Sequence, residues 1–102
     1  MARSRLELHK KLEDLIGSKN VYFQPPEGFK MRYPCIIYNL TYVGKLLADN
    51  EMYRDRTRYD VTIIDEDPDS DYQKEIIKWP YCSFNRFYTA DNLNHWVFEL
   101  YF

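Results

Sequence analysis

The segment Tyr81–Phe102, YCSFNRFYTADNLNHWVFELYF, decides how the rest of the chain is read. Eight of its twenty-two side chains are aromatic, and the turn-forming stretch ADNL at 90–93 splits it into two strand-like runs. In the second run Trp96, Phe98, Leu100 and Phe102 fall on one side and His95, Val97, Glu99 and Tyr101 on the other, the period of two that a strand imposes. The spacing predicts a terminal hairpin over 81–102. Its first row faces a core, and its second row is left for a neighbour or a covering segment.

Something must cover the aromatic face, and the preceding sequence supplies it. Tyr72, Ile76 and Trp79 recur at i, i+4 and i+7 before Pro80, and Asp67 followed by Pro68 has the form of an N-cap and first-turn pair, so a helix is expected over 68–78. Before it, RYDVTIID at 58–65 alternates: Tyr59, Val61 and Ile63 face one side and Arg58, Asp60 and Thr62 the other, as in an antiparallel strand with one wetter face. CIIYNLTY at 35–42 is a further strand, apolar on both faces and therefore expected to be internal or covered. Between these strands the mixed charges of 43–57 show no period and read as a long loop or projecting hairpin.

The N-terminal part begins with a helix over 4–16, where Leu8, Leu12, Leu15 and Ile16 make one apolar stripe. Ser4 with Glu7 has the capping-box form, and Gly17 supplies a left-handed stop. Residues 17–34 form a connector, kept out of regular structure by Pro25, Pro26, Gly28 and Pro34 but anchored by Val21, Tyr22, Phe23 and Phe29. The order helix, strand, strand, helix, strand, strand predicts a single α+β domain over 1–102: a mainly antiparallel four-stranded sheet with two helices packed on one face.

Composition bounds the function. The 102 residues carry a formal charge of −2 and are 45% hydrophobic and 29% charged, values of a chain that folds around one core. A slight acidic excess argues against general nucleic-acid binding. No apolar run approaches a membrane span, and the charged N-terminus MARSRLELHKK lacks the form of a signal peptide, so a cytoplasmic setting with reduced Cys35 and Cys82 is expected. The aromatic share of 18% is high, which suits both a compact core and a subunit interface.

The candidate chemistries are each weighed against a structural role. In DEDPDSD, Asp65, Glu66, Asp67, Asp69 and Asp71 have a spacing similar to a calcium loop, but Ser70 stands where such a loop needs Gly and Ile76 where it needs Glu, so the residues fit a helix start better. The two cysteines and two histidines lack zinc-site spacing, and neither His9, on an exposed helix turn, nor His95 sits in a nucleophile or metal motif. No cofactor and no catalytic group is expected, and the chain is read as a non-enzyme. In MYRDRTRYD, the arginines Arg54 and Arg56 beside Tyr53 form a basic and aromatic loop that, with Lys45, His95 and Tyr101, makes a candidate set of subunit or partner contacts.

Taken together, the amphipathic first helix, the connector with VYFQPP, the YPCIIY strand, the long loop, RYDVTIID, the second helix and the aromatic final strands resemble the tail terminator, or tail-completion, family of neck proteins in long-tailed bacteriophages. The resemblance covers nearly the whole chain and lies in element order. It implies a structural virion protein, assembled in the host cytoplasm, that forms a homohexameric ring on the tail tube. Such a ring meets the tube protein on one side and a head-completion (connector) protein on the other, and DNA passes its lumen without specific binding. Asp65, Glu66, Asp67, Asp69 and Asp71 are then candidates for an acidic lumen loop, since like charge disfavours contact with phosphate. A head–tail joining or minor tail protein of the same neck is the alternative within this class. A small intracellular enzyme or ligand-binding regulator is the alternative outside it.

Overall fold

The computed structural model describes residues 4–42 and 57–102. Among them the order is α1 (Arg5–Ile16), β1 (Val21–Phe23), β2 (Cys35–Tyr42), β3 (Arg58–Asp65), α2 (Tyr72–Ile76), β4 (Cys82–Ala90) and β5 (Leu93–Tyr101). The strands form one mixed sheet ordered β1-β2-β3-β5-β4, antiparallel at every junction except the parallel β1–β2 pair. The class is α+β. The expected four-stranded sheet has a fifth strand, because Val21–Phe23 within the connector pairs with Ile36–Tyr38.

α1 forms where the apolar stripe requires it. Ser4 caps the first turn by accepting a hydrogen bond from the Leu6 N–H at 3.1 Å. Gly17 ends the helix at φ 77°, its N–H bonded to the Glu13 carbonyl. Leu8, Leu12 and Ile16, four residues apart, are the positions the helix buries. His9, expected on an exposed turn, points partly inward to Tyr38.

α2 is shorter than the stretch 68–78 anticipated for it, and its N-cap residue is Asp71 rather than Asp67. The reason is local: Asp67 Oδ1 accepts from the Asp69 N–H at 2.9 Å, and Asp65 Oδ1 from the Asp67 N–H at 3.0 Å. These side chains hold the backbone in successive Asx turns, so residues 67–70 are not available to a helix. Turn hydrogen bonds run on to Trp79, where Pro80 halts them.

The core lies between the helices and one face of the sheet. Leu8, Leu12 and Ile16 of α1 and Ile76 of α2 cluster with Ile36, Tyr38, Tyr59, Val61, Ile63, Trp96, Phe98, Leu100 and Phe102. The row Trp96, Phe98, Leu100, Phe102 thus faces the helices. Lys11 closes this layer at one end, its ammonium 4.3 Å from the Trp79 ring centre. The sequence alternation of β2 fails at its end: register shifts between Leu40 and Tyr42, and both side chains are exposed instead of joining Ile36 and Tyr38 in the core.

Candidate interaction surface

Three surfaces stand outside the core. The first is the sheet face turned away from the helices. Cys35, Ile64 and Val97 on this face are buried, so it is not the wetter face that the alternation of 58–65 suggests throughout. A cleft of about 330 Å³ opens on it, with Met31 and Tyr33 of the connector along one wall and Tyr88, Asp91 and His95 along the other. His95 stacks on Tyr88 with ring centres 4.5 Å apart and planes 10° from parallel, and the Arg86 guanidinium lies 5.5 Å from the Tyr88 ring centre. Desolvation, then the neighbouring Cys35, Asp91 and Glu66, pushes the Tyr33 phenol above its ordinary pKa. Burial raises the Cys35 thiol to about 12. It is therefore a packed neutral group and not a nucleophile.

The second is the acidic stretch 65–71, which lines a concavity of about 250 Å³. Its carboxylates do not converge. Asp65 and Asp67 each serve the backbone two residues on, and Lys74 lies 3.2 Å from Asp71. Asn94 donates to the carbonyls of Asp65 and Glu66 at 3.1 and 3.2 Å, which ties the stretch to the start of β5. Among the described residues, no group of three or more His, Cys, Asp or Glu side chains is placed to hold a metal ion.

The third is the β4 edge. Ser83 to Ala90 are all exposed, and Phe84 and Phe87 remain 51% and 47% accessible. Residues three apart in a regular strand face opposite ways, but a register shift between Phe84 and Arg86 returns Phe87 to the side of Phe84. Both rings therefore lie on the helix side, over Phe98 and Trp96 at 5.5 and 5.3 Å between centres. Phe84 and Ile77, with Trp96 and Phe98 beneath them, line an apolar groove of about 180 Å³. Sequence reasoning named neither phenylalanine as a surface residue, because FNRF gives no sign of the bulge. The available signal was composition: this nine-residue strand carries one charge, Arg86.

Of the residues singled out from sequence, Lys45, Tyr53, Arg54 and Arg56 lie outside the described residues. His95 belongs to the cleft. Tyr101 lies on the same face but six residues further along β5, about 20 Å away. Its hydroxyl hydrogen-bonds Arg58, which raises the pKa of that guanidinium, and Arg58 Nε also donates to Thr41 Oγ1 at 3.0 Å. The candidate contacts His95 and Tyr101 are thus set apart.

Among the described residues, no helix is long and apolar enough to cross a membrane. No protein-family model matches the chain, nor does any curated protein or solved structure.

Proposed function

We propose that the chain is a non-enzymatic structural protein of a bacteriophage neck: a tail terminator whose subunits close into a homohexameric ring, cap the tail tube and offer the head a docking surface. Its partners are further copies of itself, the tube protein and a head-completion protein, and the acidic stretch 65–71 faces a lumen that DNA traverses without specific binding. It acts in the virion after assembly in the host cytoplasm.

The observation that carries this reading is the β4 edge, which pairs with β5 alone among the described residues. A nine-residue strand with exposed Phe84 and Phe87 is an association hazard in a free monomer and an asset in a protein built to assemble. The element order that resembles the terminator family supports the same role.

Electron microscopy of the purified chain, alone and added to uncapped tail tubes, tests the proposal. Six-fold rings, or tubes that no longer elongate, are the expected results; tubes that grow unchanged in its presence remove it. Arg54→Glu with Arg56→Glu tests the basic loop, and assembly should weaken if the loop touches a partner. Particles joined to heads but with no effect on tube length would favour a head–tail joining or minor tail protein.

The open-face cleft favours a second reading, a small ligand-binding regulator or enzyme that uses Tyr33, Tyr88 and His95. A strictly monomeric chain whose melting point rises with a small ligand, with the rise lost in Tyr88→Ala, would put that reading first.

A further inference from the structure

We propose that the β4 edge docks a second copy of this chain, and that it meets the β1–β2 side of that copy rather than the copy's own β4. This deepens the ring reading and rests on it for closure of the head-to-tail contact.

The first argument is area. Ile77, Phe84 and Phe87 on the helix side of β4, Tyr81 at its start and Tyr88 on its other face leave 42%, 51%, 47%, 38% and 39% of their surfaces accessible. At about 200 Å² per large side chain they present on the order of 400 Å² of mostly apolar surface. One partner in a stable interface contributes about 800 Å², rather more than half of it apolar. A contact that straddles the edge strand draws on both faces for most of its apolar part, and Arg86 adds a polar part. Natural edges are commonly protected by lysine or proline, and Cys82–Ala90 contains neither.

The second argument is the distribution of what remains exposed. Apart from Tyr33 of the open-face cleft, at 37%, the other accessible large apolar side chains among the described residues are Leu6, Phe29, Leu40 and Tyr42, at 68%, 45%, 42% and 48%. They belong to the other side of the molecule. Arg5, next to Leu6, reaches Phe23 and Tyr38 of β1 and β2; Phe29 packs on Tyr22 of β1; and Leu40 and Tyr42 end β2. The strand order puts β1 at one margin of the sheet and β4 at the opposite one. Two unlike apolar patches at opposite margins are what a head-to-tail contact uses, and repeated rotation closes it into a ring. A two-fold β4–β4 contact would use one patch and leave the other in water. It would also bring Arg86, the middle residue of β4, towards its own copy.

The full chain is measured by light scattering and electron microscopy together with Phe87→Lys and with Leu40→Lys/Tyr42→Lys, and circular dichroism checks that each is folded. Each variant alone should fall to the 12.5 kDa monomer. Mixed in equal amounts, they should form a 1:1 dimer that grows no further, because one intact β4 edge meets one intact β1–β2 side. Should Phe87→Lys fail to fold, Ile77→Lys gives the same readout. Rings formed by a folded Phe87→Lys or Ile77→Lys overturn the β4 contact and leave the ring reading standing. Assembly lost in Phe87→Lys but intact in Leu40→Lys/Tyr42→Lys overturns the head-to-tail arrangement in favour of a two-fold one. A wild-type chain that stays monomeric at high concentration overturns the contact, and the tube-capping assay then judges the ring reading by itself.

Discussion

His9 Nδ1 lies 2.7 Å from the Tyr38 hydroxyl oxygen, and Arg5 Nη1 donates to the same hydroxyl at 3.0 Å. These two contacts fasten the first turns of α1 to β2 through a tyrosine that is itself fully buried. The Tyr38 ring also meets Phe23 and Tyr59, with centres 4.9 and 5.8 Å apart. Tyr38→Phe keeps the ring and leaves Arg5 Nη1 and His9 Nδ1 without this partner, so it should cost about 1–2 kcal/mol in urea unfolding. Tyr38→Ala should cost about 3–5 kcal/mol. A Tyr38→Phe protein that unfolds at the wild-type urea concentration would mean that the hydroxyl contributes nothing.

Gly17 terminates α1 at φ 77°, and a Cβ placed there would meet nothing within 4 Å. Only the backbone opposes a side chain at this position. Gly17→Ala should lower stability by about 1 kcal/mol, and Gly17→Asn by less, because asparagine tolerates the left-handed region. Thermal melts of the two variants read the difference; equal losses would point to another cause.

Asp65 accepts the Asp67 N–H and is almost fully buried. Asp65→Ala should cost about 1–2 kcal/mol, whereas Asp65→Asn retains a carbonyl acceptor and most of the stability. Millimolar calcium should leave the wild-type melting point where it is. A rise with calcium that disappears in Asp65→Ala would make the segment a cation site.

The buried Cys35 and half-buried Cys82 give a pH dependence with a definite sign. Burial raises Cys35 to about 12 and Cys82 to about 11, from 9.0 in the open chain, and also pushes Tyr38 and Tyr59 above 10.0. The native state therefore holds these protons more tightly than the unfolded state. Their stabilising effect is complete below about pH 9 and is lost as pH rises towards 12, a loss on the order of a few kcal/mol. Urea midpoints measured upward from pH 8 should fall over that window. At pH 8 both thiols should react with a disulfide reagent far more slowly than in the urea-unfolded chain.

Much of the fold was legible because it rests on local periodicity. The stripe Leu8, Leu12, Ile16 marks α1, and the row Trp96, Phe98, Leu100, Phe102 marks the buried side of β5. What escaped depends on partners distant in sequence. β1 is three residues long, has no alternation, and exists through its pairing with Ile36–Tyr38 across an irregular connection. The helix at 68–71 was a reasonable reading of Asp67-Pro68, but the same aspartates bind backbone N–H groups in turns, and that competition has no periodic signature. The surface was the least legible part: His95 and Tyr101 were identified as candidates, but not the stacking of Tyr88 on His95 or the bulge that turns Phe87 beside Phe84.

β4 is joined to the sheet through β5 alone among the described residues, and all eight residues from Ser83 to Ala90 are exposed. Its separation from β5 would uncover Phe98 and Trp96 but break no strand pairing of β1, β2 or β3. Its amide protons should exchange with solvent well before those of Val61 and Ile63, by an opening far smaller than global unfolding. The margin of the protein most suited to meeting a neighbour is also the margin whose shape is cheapest to adjust on contact.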